Sequence, residues 1–391
     1  MGRSPADASW FLYFPENYRW SSAICFMISI ARWGGAEIGE IDKVARRLAK
    51  GLGEDEVWFR EWARMGDKVH DLGLKAERHG RKLSAASHHL RACCYYQMGE
   101  RFRTPKDKKG LAVYRKSLDC FRRFARQTDR PRIEIVEIPY EGGQSLPAYF
   151  VHAENTNQGK PPVVVFFDGL DNTKELVYLR GVAELVRRGM SCLVVDGPGS
   201  GEAARFRDLY LRYDYEVAGS AALDYLEKRK DVNAQRAAIM ALSAGGYYAP
   251  RAASMDHRYK ACVAWGAIWD YHATWKKRLA AYGTSLHAVP DHHIFWIMNA
   301  KSTEEALRKL EGFRLDGVVQ KMRCSFLLVH GEDDKQIPMR DARALFRAAG
   351  SKDKTFKVFT VEEGGAQHCQ RDNMSLGTSY IYDWLQERLK P

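Results

Sequence analysis

The first 130 residues have the apolar spacing of amphipathic helices. Apolar side chains recur there at intervals of three and four residues, with few β-branched runs. This is the periodicity of a helix that buries one face. The predicted helices are Ile41–Lys50, Glu54–His79, Ala85–Gly99 and Asp107–Gln127. We therefore predict an all-helical N-terminal domain covering residues 1–130.

From residue 131 short apolar runs alternate with helical segments. A strand pair, Arg132–Pro139 and Pro147–His152, flanks a glycine-rich turn. The further predicted strands are Pro162–Phe167, Ser191–Asp196, Ala237–Leu242, Ala261–Trp265, Ser325–His330 and Phe356–Val361. The predicted helices between them are Thr173–Arg188, Tyr215–Lys230, Gly245–Ser254, Met339–Ala349 and Ser375–Lys390. This alternation predicts an α/β domain at residues 131–391 with a doubly wound, mostly parallel sheet. It is interrupted from Gly266 to Gly317 by an aromatic- and histidine-rich segment.

The composition is that of a globular protein. The 391 residues are 45% hydrophobic and 28% charged, which excludes disordered and fibrous classes. The longest apolar run, Ala23–Ala31, is far shorter than the roughly 20 residues that cross a bilayer. No apolar signal segment precedes Trp10, so we expect a cytoplasmic protein.

The net charge of +12 is concentrated in one segment. Residues 101–132 hold twelve Lys or Arg and three Asp. The same segment has an apolar helical stripe, so we expect the cations on the solvated face of a helix. No nucleic-acid-binding module accompanies them, which disfavours a nucleic-acid partner. Docking of an acidic carrier protein stays open.

Cysteine and histidine spacing predicts neither a metal nor a disulfide. The eight cysteines show no C-x-x-C pair, and reduced, buried thiols are the expectation. The histidines of 88–89 and 292–293 are adjacent, whereas ligands on one helix face are three or four residues apart. The turn at 196–202 lacks the G-K-[ST] ending of a phosphate loop. We expect no cofactor.

Three polar residues follow three different predicted strands. Ser243, in A-L-S-A-G-G, has the small neighbours of a nucleophile elbow, although Ala241 replaces the usual first glycine. Asp334 lies four residues before Pro338, and His368 precedes the last helix. Loops after parallel strands converge at one sheet edge. We predict that Ser243 attacks a carbonyl, His368 transfers its proton and Asp334 orients the imidazole, with Asp333 as the competing acid.

An acyl-transfer site also needs two N–H donors for the developing oxyanion. The predicted donors are the backbone N–H groups of Ala244, next to the serine, and Leu170, in the loop after the first buried strand. The side chains of residues 171–175 equally suit a helix cap with a first-turn acid.

Four motifs together resemble a branch of the α/β-hydrolase superfamily. They are the loop G-L-D-N-T-K-E at 169–175, the turn D-G-P-G-S-G-E at 196–202, the serine elbow and the ending G-x-x-H-C at 365–369. The branch comprises 2,6-dihydroxypseudooxynicotine hydrolase, the FrsA-like esterases and the fungal heptaketide hydrolases. The resemblance implies an α/β-hydrolase fold with the helical domain as a lid over the active site, and a homodimer.

The resemblance also implies hydrolysis of a carbon–carbon bond beside a ketone in an aromatic or polyketide-like small molecule. The same groups would cut esters or thioesters, or transfer an acyl group, and a non-catalytic binding scaffold is the third interpretation. Trp269, Asp270 and Tyr271 follow a strand end, so we predict that they line the substrate pocket. Packing between the two domains is the competing role for these aromatic residues.

Overall fold

The computed structural model describes residues 11–104, 106–155, 159–280, 289–290 and 292–390. These residues form two compact units. The first comprises the described residues of 1–134 and 285–296, and the second those of 135–284 and 297–391. The described residues of 285–296, a range that the sequence analysis assigned to the larger domain, thus group with the helical unit. The lid role stays a prediction.

The first unit is helical. Its main helices are α1 (Tyr18–Ala31), α2 (Ile38–Leu48), α3 (Asp55–Arg78), α4 (Lys82–Arg101) and α5 (Lys108–Gln127). Helix α1 was not predicted, because its apolar residues form a continuous run rather than a stripe. The centre of the first unit is an aromatic cluster in which Trp58 contacts Trp20, Trp62 and Phe102. No helix of the described chain is both long and apolar enough to cross a membrane.

Cations of the basic segment pair with acids inside the helical unit. Arg103 bonds Asp107 at 2.7 Å, and Lys116 bonds Asp67 at the same distance. Lys106 and Glu100 form an ion pair of 3.1 Å in which both side chains are 2% exposed. Of the predicted apolar stripe on α5, Tyr114, Leu118 and Phe121 are buried, whereas Leu111 and Ala125 are half-buried. Part of the positive charge of this segment is therefore neutralised by ion pairs with acids of the same unit.

The second unit is built on one eight-stranded sheet in the described chain. The strands are β1 (Ile133–Pro139), β2 (Ser145–Val151), β3 (Val163–Phe167), β4 (Ser191–Val195), β5 (Ala237–Leu242), β6 (Ala261–Trp265), β7 (Ser325–Gly331) and β8 (Lys354–Phe359). Their order is β1-β2-β4-β3-β5-β6-β7-β8. The pairs from β4 to β8 are parallel, and β2 is antiparallel to β4. Strands β3 to β6 are fully buried, as expected when helices cover both faces.

Ten further helices of the described chain follow these strands in sequence. They are α6 (Lys174–Tyr178), α7 (Val182–Arg187), α8 (Gly201–Phe206), α9 (Glu216–Glu227), α10 (Gly245–Met255), α11 (Tyr271–Ala280), α12 (His293–Ile297), α13 (Thr303–Leu310), α14 (Met339–Ala348) and α15 (Met374–Arg388). One of them, α12, falls almost wholly in the first unit. The single helix predicted at Thr173–Arg188 is wrong, because Gly181 takes a left-handed φ of 79° and divides it into α6 and α7. The segment from Gly266 to Gly317 contains α11 to α13. The predicted fold class, an α/β sheet preceded by a helical region, is confirmed.

Candidate active site

Ser243 occupies a sharp turn between β5 and α10. Its φ is 61°, a left-handed conformation that non-glycine residues rarely adopt. The backbone N–H of Ser243 donates to the carbonyl of Trp265 at 2.8 Å, and Gly246 N–H donates to the Ser243 carbonyl at 2.9 Å. A strained turn of this kind lifts a side chain out of the strand end. The sequence thus folds into the predicted elbow.

Two glycines, which have no side chain, make the close packing of the elbow possible. A Cβ on Gly245 would lie 2.4 Å from the Cβ of Ala241, and one on Gly246 would lie 2.5 Å from the carbonyl oxygen of Gly266. Both distances are shorter than real carbon contacts. The methyl group of Ala241, where the motif usually has glycine, fits because Gly245 has no side chain. The departure from the motif is therefore accommodated locally.

His368 lies in the turn between β8 and α15, and its imidazole contacts both other predicted residues. Nε2 is 2.8 Å from Ser243 Oγ, and Nδ1 is 2.7 Å from Asp334 Oδ2. In the neutral imidazole, Nδ1–H donates to the carboxylate and Nε2 accepts from the serine hydroxyl. The side chains of His368 and Asp334 are 2% and 1% exposed. The structure thus brings the three predicted side chains into one hydrogen-bonded chain.

The two neighbouring acids after β7 have different partners. Asp334 Oδ1 accepts from the N–H groups of Gln336 and Ile337 at 2.8 and 3.0 Å, which leaves Oδ2 to face the imidazole. Asp333 instead accepts from the Gln367 amide at 2.9 Å and pairs with Lys335. Asp334, and not Asp333, is therefore the acid that contacts the His368 imidazole.

Burial and charge shift the pKa values of His368 and Asp334 in opposite directions. Burial disfavours the imidazolium, but the facing Asp334 carboxylate outweighs it and raises the pKa of His368 above its usual range. Burial likewise disfavours the carboxylate, but the imidazolium holds the pKa of Asp334 below its usual range. The ion pair is thus favoured near neutral pH, and the neutral imidazole becomes more populated as the pH rises.

The loop after β3 packs directly against the elbow. A Cβ on Gly169 would lie 2.6 Å from the Leu242 carbonyl oxygen and 2.8 Å from Ser243 Cβ. Leu170, the next residue, and Ala244, which follows the serine, are both buried. The two backbones that carry the predicted oxyanion donors are therefore held in close approach.

Substitution of Gly169 by alanine is expected to lower kcat by about 10²- to 10³-fold, the effect of losing one oxyanion donor. The added methyl group must displace the loop from backbone atoms of the elbow, which moves Leu170 N–H out of position. Steady-state kinetics measures the change. Gly39→Ala is the matched control, because a Cβ there meets no atom within 4 Å. Unchanged kcat in Gly169→Ala would contradict the predicted loop role.

An ion cluster that the sequence analysis did not identify supports this loop. Lys174 Nζ contacts Asp196, Glu202 and Glu175 at 2.8, 3.0 and 3.0 Å. Asp196 Oδ1 also accepts from Lys174 N–H at 2.7 Å. The cap of α6 thus comes from another strand end, and no side-chain cap comes from Thr173. The cluster explains why acids occur at both ends of the 196–202 turn.

Asp168, at the end of β3, is a second buried acid beside the site. Its Oδ1 accepts from the Gly169 N–H and, at 3.3 Å, from the Asn172 amide. Burial raises the pKa of Asp168 to about 7. Its position after a strand could have identified it from the sequence. Because both hydrogen bonds come from residues of the loop after β3, Asp168 stabilises the conformation of that loop.

In the described part of the chain, no hydrogen bond joins the predicted substrate contacts to Ser243, Asp334 or His368. Asp270 Oδ1 accepts from Ala273 N–H at 2.8 Å, and its Oδ2 pairs with Arg314 at 3.3 Å. Tyr271 is buried against Trp275 and Phe313, and Trp269 is half-buried. Asp270 therefore caps α11 and pairs with a cation, while substrate binding by these residues stays a prediction.

Comparisons with known proteins agree with this architecture. The model of the prolyl oligopeptidase family matches residues 178–391, which include all three site residues. Hydrolase LUC6 of Fusarium sp. is 30% identical, with 92% of this chain and 94% of that protein covered. The 20-hydroxy-prefusarin hydrolase FUS2 of Gibberella moniliformis is 28% identical, with 90% and 92% covered. The crystal structure of 2,6-dihydroxy-pseudo-oxynicotine hydrolase superposes with a TM-score of 0.77 at 22% identity, over 93% and 95% of the chains.

Proposed function

Because this chain belongs to the prolyl oligopeptidase family and is a hydrolase with the α/β-hydrolase fold, we propose that Ser243, His368 and Asp334 are its catalytic triad. The observation that carries the proposal is the hydrogen-bonded chain from Ser243 Oγ through His368 to Asp334. A serine hydroxyl is a weak nucleophile until a neighbouring base removes its proton. In the proposal His368 is that base. The strained elbow presents the Ser243 hydroxyl to it, and the buried Asp334 carboxylate orients its imidazole.

The first half-reaction is addition to a carbonyl carbon. Ser243 Oγ forms a bond to that carbon while its proton moves to His368 Nε2, and the carbonyl oxygen becomes an oxyanion. The N–H groups of Leu170 and Ala244 are the proposed donors to that oxygen. The Asp334 carboxylate stabilises the imidazolium that forms. Each group thus acts where charge develops.

We propose that the bond then broken is a carbon–carbon bond beside a ketone. The electron pair of that bond leaves with a carbon stabilised by a second carbonyl or a phenolic ring, and His368 returns the proton to this carbon. Water then attacks the acyl-enzyme with His368 as base and releases the acid. Two of the similar proteins are named for hydroxyl-bearing substrates, 20-hydroxy-prefusarin and 2,6-dihydroxy-pseudo-oxynicotine. These names support an aromatic or polyketide-like substrate.

Cleavage of two matched substrates tests the proposed bond. We expect the purified enzyme to cleave an aryl β-diketone to an acid and a ketone, and mass spectrometry of the products identifies both. An aryl ester with the same acyl group serves as the comparison. Cleavage of the ester alone would contradict carbon–carbon hydrolysis and favour an esterase or thioesterase, and an ester product with an added alcohol would favour acyl transfer. Ser243→Ala is the control for background hydrolysis.

A further inference from the structure

Three potential metal ligands lie close together between helices of the first unit. In the sequence they are distant from the residues of the proposed catalytic triad. His70 lies on α3, His89 on α4 and Cys120 on α5. One ligand atom from each residue can be chosen so that all three lie within 4.8 Å of one another. His89 and Cys120 are fully buried, and His70 is half-buried. Two imidazoles and a thiol are therefore enclosed in a helical core.

The hydrogen bonds of the imidazoles leave one nitrogen of each ring available. His89 Nε2 is 3.1 Å from Glu77 Oε1, so it donates its N–H to that carboxylate and Nδ1 keeps a lone pair. The Tyr96 hydroxyl donates to Asp67 at 2.7 Å, and its oxygen lies 3.5 Å from His70 Nδ1, so Nδ1–H faces an acceptor and Nε2 keeps a lone pair. His89 Nδ1 and His70 Nε2 are both buried without a hydrogen-bond partner in the described chain.

The surrounding residues resemble the outer shell of a metal site. In such sites the second ring nitrogen of a ligating histidine donates to a carboxylate or another acceptor, which fixes the ring orientation. Glu77, which accepts from His89, is itself paired with Arg123 at 2.7 Å. A Cβ on Gly73 would lie 2.7 Å from His89 Nδ1, so only glycine on α3 leaves room for this ring. The arrangement is thus built around the imidazole.

We propose that His70 Nε2, His89 Nδ1 and Cys120 Sγ bind one transition-metal ion of the zinc type. Neutral imidazole and thiolate suit such ions, whereas Mg²⁺ and Ca²⁺ prefer oxygen ligands. Tetrahedral bonds of roughly 2.0 Å to nitrogen and 2.3 Å to sulfur place ligand atoms about 3.3 to 3.6 Å apart. Side-chain rotations that bring the three named atoms to these spacings would complete the site.

Metal binding changes the charge of the cluster in a defined way. The Cys120 thiol loses its proton to solvent as the sulfur–metal bond forms, and water takes the fourth position. The ion would join α3, α4 and α5, so it would stabilise the helical unit rather than take part in acyl chemistry.

Cobalt titration of the full-length chain, stripped of metal with a chelator, tests the proposal directly. Co²⁺ bound to a thiolate gives a near-ultraviolet charge-transfer band, and we expect this band to saturate at one Co²⁺ per chain and to disappear on addition of Zn²⁺. Absence of the band in the wild-type chain would overturn the proposal without any variant. A band that saturates at several ions per chain would also overturn it.

Variants assign the ligands. We expect Cys120→Ser to lose the band and His70→Ala to lose the rise in melting temperature that Zn²⁺ gives the wild type. Glu77→Gln should weaken Zn²⁺ binding by about 10- to 100-fold, as outer-shell changes do. His88→Ala, beside His89, and Cys25→Ser, on α1, are matched controls that should bind as the wild type does. Retention of the band in folded Cys120→Ser, or its loss in Cys25→Ser, would overturn the assignment.

Discussion

Ser243→Ala is expected to lower kcat by about 10⁴- to 10⁶-fold, the largest effect of any single change considered for this enzyme. The substitution removes the oxygen that the proposal assigns to attack on the carbonyl, and His368 then has no hydroxyl to deprotonate. Substrate binding should persist, because alanine leaves the walls of the site in place. Single-turnover kinetics measures the chemical step, and fluorescence titration measures substrate affinity.

Two results would contradict this role for Ser243. One is a variant that keeps more than about a tenth of the wild-type kcat, since loss of a nucleophile costs far more. The other is a loss of affinity that accounts for the whole defect at unchanged kcat, which would make Ser243 a binding residue. A melting temperature close to that of the wild type excludes unfolding as the cause.

Asp334→Asn is expected to lower kcat by about 10⁴-fold and to shift the pH profile. In the wild type the carboxylate raises the pKa of His368, so kcat/KM should rise with pH through the alkaline side of neutrality as the imidazole loses its proton. Asparagine removes the negative charge and leaves burial as the dominant influence, which lowers the pKa of His368. The rising limb of the residual activity should therefore move to lower pH.

Asp333→Asn is the matched control for this shift. Asp333 is adjacent in sequence but contacts Gln367 and Lys335 rather than the imidazole. We expect its pH profile to keep the wild-type position. A shift in Asp333→Asn, or an unmoved limb in Asp334→Asn, would contradict the assignment of the charge to Asp334. Plots of kcat/KM against pH for the three proteins decide between these outcomes.

The central strands were predictable because they are short, apolar and separated by turn residues, whereas the edge strand β8, which contains two lysines, begins two residues before its predicted start. Strand β5, for example, is entirely buried, and its apolar run begins and ends within the predicted bounds. Helix breaks were harder to predict. Gly181 interrupts a segment with continuous helical spacing by taking a positive φ, and a glycine within a helical pattern does not reveal its conformation.

The candidate site was predictable wherever a residue follows a strand. Ser243, Asp334 and His368 each follow a different strand end, and parallel strands bring those ends to one edge of the sheet. Asp270 also follows a strand, yet it caps α11 and pairs with Arg314. Position alone therefore does not separate a substrate contact from a structural cap, because the partner comes from a distant loop.

The cluster of His70, His89 and Cys120 could not be predicted from the spacing of these residues in the sequence. Each residue comes from a different helix, so no local motif records their meeting. The sequence analysis compared His89 only with its neighbour His88, whereas in the structure His88 bonds Arg91 at 2.8 Å and His89 lies beside Gly73 of α3. Such a site depends on the packing of long helices, which apolar periodicity predicts only as a face.

Covalent labelling of the wild-type enzyme with a fluorophosphonate tests the central proposal most directly. The reagent bonds to a serine oxygen only where a base activates that oxygen, and peptide mass spectrometry locates the adduct. We predict one adduct per active chain, on Ser243, and none in His368→Ala. An enzyme that turns over its substrate while Ser243 stays unlabelled, or that carries the adduct on another residue, would contradict the proposal.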